Sequence, residues 1–173
     1  MDHNIIELDS KSELKEKFRS LTTPKLFVEN KGETPNHFLL IKSNALTVGL
    51  VTCRQGINVQ VGFIDATDSI IIGHEKELIC CSPVGPTISW KFNLDFCFHE
   101  FKIVDEIKSI IVIDEISVAA VNFLGEKIWY SPASDVIEWF NISRSEIKIR
   151  TMDNRELAFD TKMGTVLYNR KLD

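Results

Sequence analysis

Three glycines set the frame for this chain. Gly85, Gly125 and Gly164 stand 40 and 39 residues apart, in the stretches "SPVG", "NFLG" and "TKMG". Other positions fall into register with them. Seven residues before each glycine stand Leu78, Val118 and Leu157, followed by Ile79, Ala119 and Ala158, then by Cys80, Ala120 and Phe159. Four or five residues after each glycine comes an aromatic: Trp90, Trp129 and Tyr168. Sixteen residues before the first two lie "SIII" and "SIIV", and "SEIKI" stands slightly further back in the third. Each repeat opens on one more apolar run: "NVQVGFI", "FCFHEFKIV" and "DVIEWFNI". Three consecutive repeats, 57–95, 96–133 and 134–173, therefore hold four short strands each.

Short β-rich runs with polar or glycine-containing turns are the all-β pattern. Alternation is plain in "EIKIR", where Ile147 and Ile149 share a face. Hairpin-length connections make antiparallel pairing the expectation. A four-stranded sheet cannot bury both faces alone, and stacking copies does so. Each glycine is expected to supply positive φ at a strand-to-strand turn, and each aromatic to pack between neighbouring sheets. Residues 25–56 supply three further strands, "KLFVE", "HFLLIKS" and "ALTVGLVTC", without the glycine–aromatic signature, and read as a degenerate first repeat. Three to four four-stranded antiparallel repeats result, arranged as a propeller-like ring or an open stack. A β-barrel or sandwich is the alternative.

One helix precedes them, over 10–22. Ser10 and Glu13 have capping-box spacing. Leu14, Phe18 and Leu21 then share a helical face, and Pro24 ends the segment. Helix and repeats together, residues 1–173, read as one domain, which suits their number.

The stretch Ala158-Phe159-Asp160-Thr161-Lys162-Met163-Gly164, with Tyr168 beyond it, resembles the blade motif of quinoprotein (PQQ)-like β-propellers, Ala-x-Asp-x-x-Thr-Gly-x-x-x-Trp. Met163 stands at the Thr position and Tyr168 at the Trp position. In the second repeat Asn122 lies one place past the Asp position and Trp129 is kept, and in the first repeat the Asp position is Cys81. The resemblance spans about residues 57–170 and implies propeller-like repeats. Gly73-His74 is similar to the dipeptide of WD-type repeats, with no Trp-Asp following. No cofactor-contacting residue of the quinoprotein enzymes can be placed, so no cofactor is expected.

Hydrophobic residues make up 44% and charged residues 26%, a globular composition. The net charge of −5 argues against a nucleic-acid partner and suits a basic or neutral protein. The N-terminus lacks a signal-peptide pattern, and no apolar run reaches membrane-span length. A cytoplasmic location with Cys53, Cys80, Cys81 and Cys97 as thiols is the expectation.

Catalytic and metal signatures are missing. Cys97 and His99 sit two apart on a strand, and Cys80, Cys81 and His74 lack zinc-ligand spacing. No phosphate loop, Walker pattern or nucleophile elbow occurs. The expectation is a protein that is not an enzyme and holds no metal. Tyr130 and Trp139 each neighbour a second aromatic on a strand, so one of each pair is a candidate exposed anchor for a protein partner. Asp105, Glu106, Asp114 and Glu115, at strand ends and turns, are candidate contacts to a basic partner. The functional expectation is a non-catalytic protein-binding module, in its sharpest form a bacterial immunity protein masking a toxin. The alternative is a small-ligand carrier built around a barrel cavity.

Overall fold

The structure, a computed structural model, describes residues 3–29, 34–53 and 59–172. It contains four four-stranded sheets and one α-helix among the described residues, and the sheets do not close into a barrel. The chain divides into two compact units, residues 1–91 and 92–173.

The first unit begins with β1 (Asn4–Leu8), which the sequence pattern did not mark as a strand. Helix α1 (Lys11–Arg19) follows, shorter than the expected 10–22. Ser10 Oγ accepts from Glu13 N at 3.1 Å, and Glu13 returns a bond by accepting from Asp9 N at 3.1 Å. Together these bonds satisfy amides that the first turn leaves open. Sheet 1 comprises β1, β2 (Lys25–Glu29), β3 (His37–Lys42) and β4 (Thr47–Thr52), in the order β1-β3-β4-β2. It is no meander, because β2 runs parallel to β4. The degenerate first repeat is therefore a sheet of different topology whose fourth strand comes from the N-terminus.

Successive side chains of β3 point to opposite faces and both faces are covered, which explains the unbroken apolar run Phe38–Ile41. Leu40 and Phe38 of β3 face Leu14 and Phe18 of the helix, with Val51 and Phe27 beside them. Leu39 and Ile41, on the other face, pack with Val48 and Leu50 against Ile70, Ile72, Ile79 and Cys81 of sheet 2. Sheet 2 runs in chain order through β5 (Gln60–Ile64), β6 (Ser69–His74), β7 (Glu77–Ser82) and β8 (Thr87–Asn93).

The second unit holds two more sheets in chain order. Sheet 3 is β9 (Phe98–Val104), β10 (Ser109–Asp114), β11 (Ser117–Asn122) and β12 (Lys127–Pro132). Sheet 4 is β13 (Ile137–Ile142), β14 (Glu146–Thr151), β15 (Arg155–Asp160) and β16 (Val166–Lys171). Both are antiparallel meanders. Ile111, Ile113, Val118 and Ala120 of sheet 3 meet Ile147, Ile149, Leu157 and Phe159 of sheet 4 in one core, with Trp129 at its margin.

The three glycines adopt positive φ, 64° at Gly85, 86° at Gly125 and 68° at Gly164. The Trp129 ring lies so close to Gly164 that a β-carbon there would stand 2.4 Å from it. The aromatic of the second repeat thus packs on the turn glycine of the third.

The glycine register needs one correction. Each strand before a glycine turn ends on a polar residue whose side chain accepts from the amide two places on. Ser82 Oγ accepts from Val84 N at 3.1 Å, Asn122 Oδ1 from Leu124 N at 2.9 Å, and Asp160 Oδ1 from Lys162 N at 3.0 Å. Ser82, Asn122 and Asp160 are therefore equivalent, and Cys81 is not the Asp position. The third turn holds one more residue than the others, which displaces alignment by glycine alone. Leu157 consequently shares the face of Ala119, not that of Val118.

Equivalent positions then expose a difference between the last two sheets. Ile111, Ile113 and Val118 of sheet 3 correspond to Lys148, Arg150 and Glu156 of sheet 4. The outer face of sheet 4 is polar. Glu156 Oε1 accepts from Tyr168 Oη at 3.0 Å and from Arg170 Nη2 at 2.5 Å, and Lys148 Nζ lies 3.2 Å from Glu146. Such a face disfavours a following sheet, because charged side chains dominate it and Arg150 and Arg170 lie over its Trp139 and Tyr168 rings.

Candidate functional site

Every meander places its first and third turns at one end of the sheet. In sheet 3, Ser109 pairs with both Val104 and Asn122, so the turn 105–108 lies beside the turn 123–126. In sheets 2 and 3 the first turn is a 3₁₀ turn, Asp65–Thr67 and Asp105–Ile107, closed by left-handed Asp68 and Lys108. The serine opening the next strand completes it: Ser109 Oγ donates to Ile107 O at 3.0 Å.

The tip of the third turn carries an apolar side chain in all three repeats. Val84 is 82% exposed, Leu124 74% and Met163 64%. Each directly precedes the repeat glycine, and that left-handed corner turns its predecessor outward. Sequence reasoning missed them, although the signal was present: the residue before each glycine is apolar. Carboxylates flank the tips in sheets 2 and 3, with Asp65 and Asp68 in one first turn and Asp105 and Glu106 in the other. In sheet 4 the turn carries Arg144, whose Nη2 lies 3.0 Å from Glu106 Oε1.

Asp105 and Glu106, two of the candidate contacts, are thus exposed at this turn end. Asp114 and Glu115 lie at the opposite end of sheet 3. Glu115 is half-buried in the β10–β11 turn, where its amide donates to Cys97 O at 3.1 Å and its carbonyl accepts from Ile137 N at 2.7 Å. Asp114 is only 1% exposed, whereas its place at a strand end predicts a solvated carboxylate. The residue is held in because its carboxylate closes the turn, accepting from Ile116 N at 3.0 Å, and the amides of Ser117 and Phe96 also reach it. Burial raises its pKa above the ordinary carboxylate value, against the pull of these donors.

Tyr130 and Trp139 are 39% and 43% exposed. Their neighbours Trp129 and Phe140 turn inward to the core between sheets 3 and 4. The two exposed aromatics do not share a surface. Trp139 lies on the outer face of sheet 4, with the Arg150 guanidinium 5.7 Å from its ring centre. Tyr130 lies on the face of sheet 3 away from Trp129, paired with Ala119. There it lines a recess of about 160 Å³ with Phe92, Leu94, Asp95, Asp114, Ser117 and Lys127. Lys127 Nζ stands 5.6 Å from the Tyr130 ring centre.

The cysteines and histidines do not converge. Among the described residues, no cluster of three or more His, Cys, Asp or Glu side chains could hold a metal ion. Burial pushes Cys80 up to about 11 and Cys81 up to about 12, so both are inert thiols at neutral pH. No helix among the described residues is long and apolar enough to cross a membrane.

His74 ends β6 in the first unit and is buried. Thr52 Oγ1 donates to Glu75 Oε1 at 2.6 Å and stands 3.1 Å from His74 Nδ1. The hydroxyl proton is committed to Glu75, so Nδ1 carries the imidazole proton. Nε2 is buried and has no hydrogen-bond partner among the described residues. Burial lowers the His74 pKa, and Lys91 adds to this, while Glu75 and Glu77 oppose it. A folded pKa below the unfolded value of about 6.5 means that the unfolded chain takes up the proton first as pH falls. Stability should hold steady above that pH and decline below it. Urea midpoints at about pH 7.5 and 5.5 measure this, and His74→Gln should remove its share of the difference. An unchanged pH dependence in the variant would mean that His74 contributes nothing.

No family model matches the chain, and no curated protein matches it. Solved structures do. The chain is similar to BamB from Moraxella catarrhalis, with 18% identity and a TM-score of 0.46, over 67% of this chain and 38% of that one. It is similar to the Kuenenia stuttgartiensis hydrazine synthase, with 10% identity and a TM-score of 0.52, over 65% and 35% of the two chains. It is also similar to the Neurospora crassa Pan2 WD40 domain, with 18% identity and a TM-score of 0.54, over 69% and 40%. The aligned region spans less than half of each of these proteins. The fold of the repeats is that of β-propeller blades.

Proposed function

We propose that this chain is a non-catalytic protein-binding module that docks a partner on the turn ends of its sheets. The observation that carries the reading is the recurrence of an exposed apolar side chain at one repeat position, Val84, Leu124 and Met163. Within the first unit Val84 stands at the turn end that carries Asp65 and Asp68, and within the second Leu124 stands at the turn end that carries Asp105 and Glu106; apolar anchors with a charged rim are the anatomy of protein interfaces. Likeness to a WD40 domain adds a fold that supports such surfaces.

The acidic first turns of sheets 2 and 3 and the net charge of −5 favour a basic partner. The sharper form of the proposal is a cytoplasmic bacterial immunity protein that neutralises a basic toxin by covering it. It rests on charge and on the exposed tips.

The test is affinity capture from the native cell with the wild-type chain and with a Val84→Ser, Leu124→Ser, Met163→Ser variant. The tips are solvent-exposed, so the variant should melt within about 0.5 kcal/mol of wild type. A specific partner should be retained by the wild type and reduced about tenfold with the variant. Equal retention by both proteins would sink the turn-end assignment. A captured basic toxin that loses activity in the complex is the result the immunity reading requires.

A further inference from the structure

The recess on sheet 3 has a feature that docking at the turn ends leaves unused. Lys127 lines it together with Asp95 and Asp114, and among the described residues no ion pair joins the lysine to either. Residues of opposite charge thus border one small space without pairing with each other. We propose that this recess binds a small zwitterion of amino-acid size, its amine held by Asp114 and Asp95 and its carboxylate by Lys127.

The dimensions agree. A cavity of about 150 Å³ accommodates a benzene-sized molecule, so 160 Å³ suits a ligand of about six heavy atoms. A mostly polar lining with a smaller apolar part matches a zwitterion with a short carbon spacer. Phe92, Leu94 and Ala119 supply apolar lining, and the Tyr130 ring carries the Lys127 ammonium 5.6 Å from its centre, at the end that takes the ligand's carboxylate. Asp114 is the fixed element. The residue is buried and its carboxylate is fixed by the Ile116 amide at 3.0 Å and by Ser117 and Phe96 donors, so it need not reorganise to meet an amine. That burial raises the Asp114 pKa, and an arriving amine would offset the cost of holding the charge there. Lys127 and Asp95 are exposed and able to adjust to the other end of the ligand.

The proposal goes beyond partner binding, and its site is separate from the tips at Val84, Leu124 and Met163. Titration of the ¹⁵N-labelled full chain with glycine, alanine and γ-aminobutyrate, against acetate and methylammonium, tests it. At least one zwitterion should shift the Lys127 and Tyr130 amides saturably. The single-charge probes should bind about tenfold more weakly or less. Lys127→Met and Asp95→Asn should each weaken the zwitterion about tenfold while leaving the spectrum folded. Both positions are on the surface, so loss of fold would not mask the result. Absence of saturable shifts with every zwitterion overturns the proposal. So does methylammonium or acetate binding as tightly as the zwitterion, or full affinity in both variants. Capture of a protein partner at the turn ends is unaffected by any of these outcomes.

Discussion

Replacing Gly164 by alanine should cost about 3 kcal/mol of unfolding free energy, while the same change at Gly85 should cost about 1 kcal/mol. Both glycines have positive φ, 68° and 64°, so both variants pay the left-handed penalty of an L-residue, roughly 1–2 kcal/mol. They differ in what surrounds the new carbon. At Gly85 nothing lies within 4 Å. At Gly164 the carbon would stand 2.4 Å from Cδ2 of the Trp129 indole. That ring packs against the margin of the core between sheets 3 and 4 and is not a flexible tip. Overpacking of this kind costs about 1–3 kcal/mol beyond the backbone term. Urea denaturation of the two variants measures the contrast. A double-mutant cycle locates it, because in a Trp129→Leu background Gly164→Ala should fall to about 1 kcal/mol. Equal costs for Gly164→Ala in both backgrounds would show that the indole is not the obstacle.

The second large effect concerns association. Lys148→Ile, Arg150→Ile and Glu156→Val together would give sheet 4 the outer face that sheet 3 presents with Ile111, Ile113 and Val118. The three side chains lie on the solvent side, away from Ile147, Ile149 and Leu157, so the fold should survive. The new apolar face would have nothing to cover it. Exposed patches of a few hundred Å² or more drive self-association. Light scattering coupled to size exclusion should show the variant as a dimer or larger at concentrations where the wild type shows no such shift. A variant that keeps the wild-type mass at every concentration would mean that the charged face has no part in ending the stack.

The fold was largely legible in the residues because a repeat multiplies its own signal. One glycine followed by an aromatic is weak, but three in register, with apolar runs at matching offsets, predict four strands per repeat. The register within the third repeat was less legible. Alignment on glycine put Leu157 with Val118, whereas one extra residue in the turn 161–165 moves it to the face of Ala119. Polar side chains that close turns, Ser82, Asn122 and Asp160, turned out to be the better markers. Their hydrogen bonds tie them to the strand end, while turn length is free to vary.

The candidate sites were legible only in part. Exposure of Tyr130 and Trp139 followed from strand alternation, since adjacent aromatics must face opposite ways. Asp114 could not be placed in the same way. Its neighbour Glu115 has the same charge and nearly the same position, but one carboxylate closes a turn and the other lies half-open to water.

By itself the sequence determined what depends on local chemistry and periodicity: the strands of the three repeats, the left-handed glycine turns, the capped helix, and the alternation that separates inward from outward side chains. Sheet 1 was decided by tertiary structure, because β1 and the parallel β2 find partners only across the fold. So was the pairing of Trp129 with Gly164, the burial of Asp114, and the gathering of Lys127, Asp95 and Tyr130 around one recess. These depend on which surfaces meet, and a contact between residues distant in the chain leaves no period for a sequence to display.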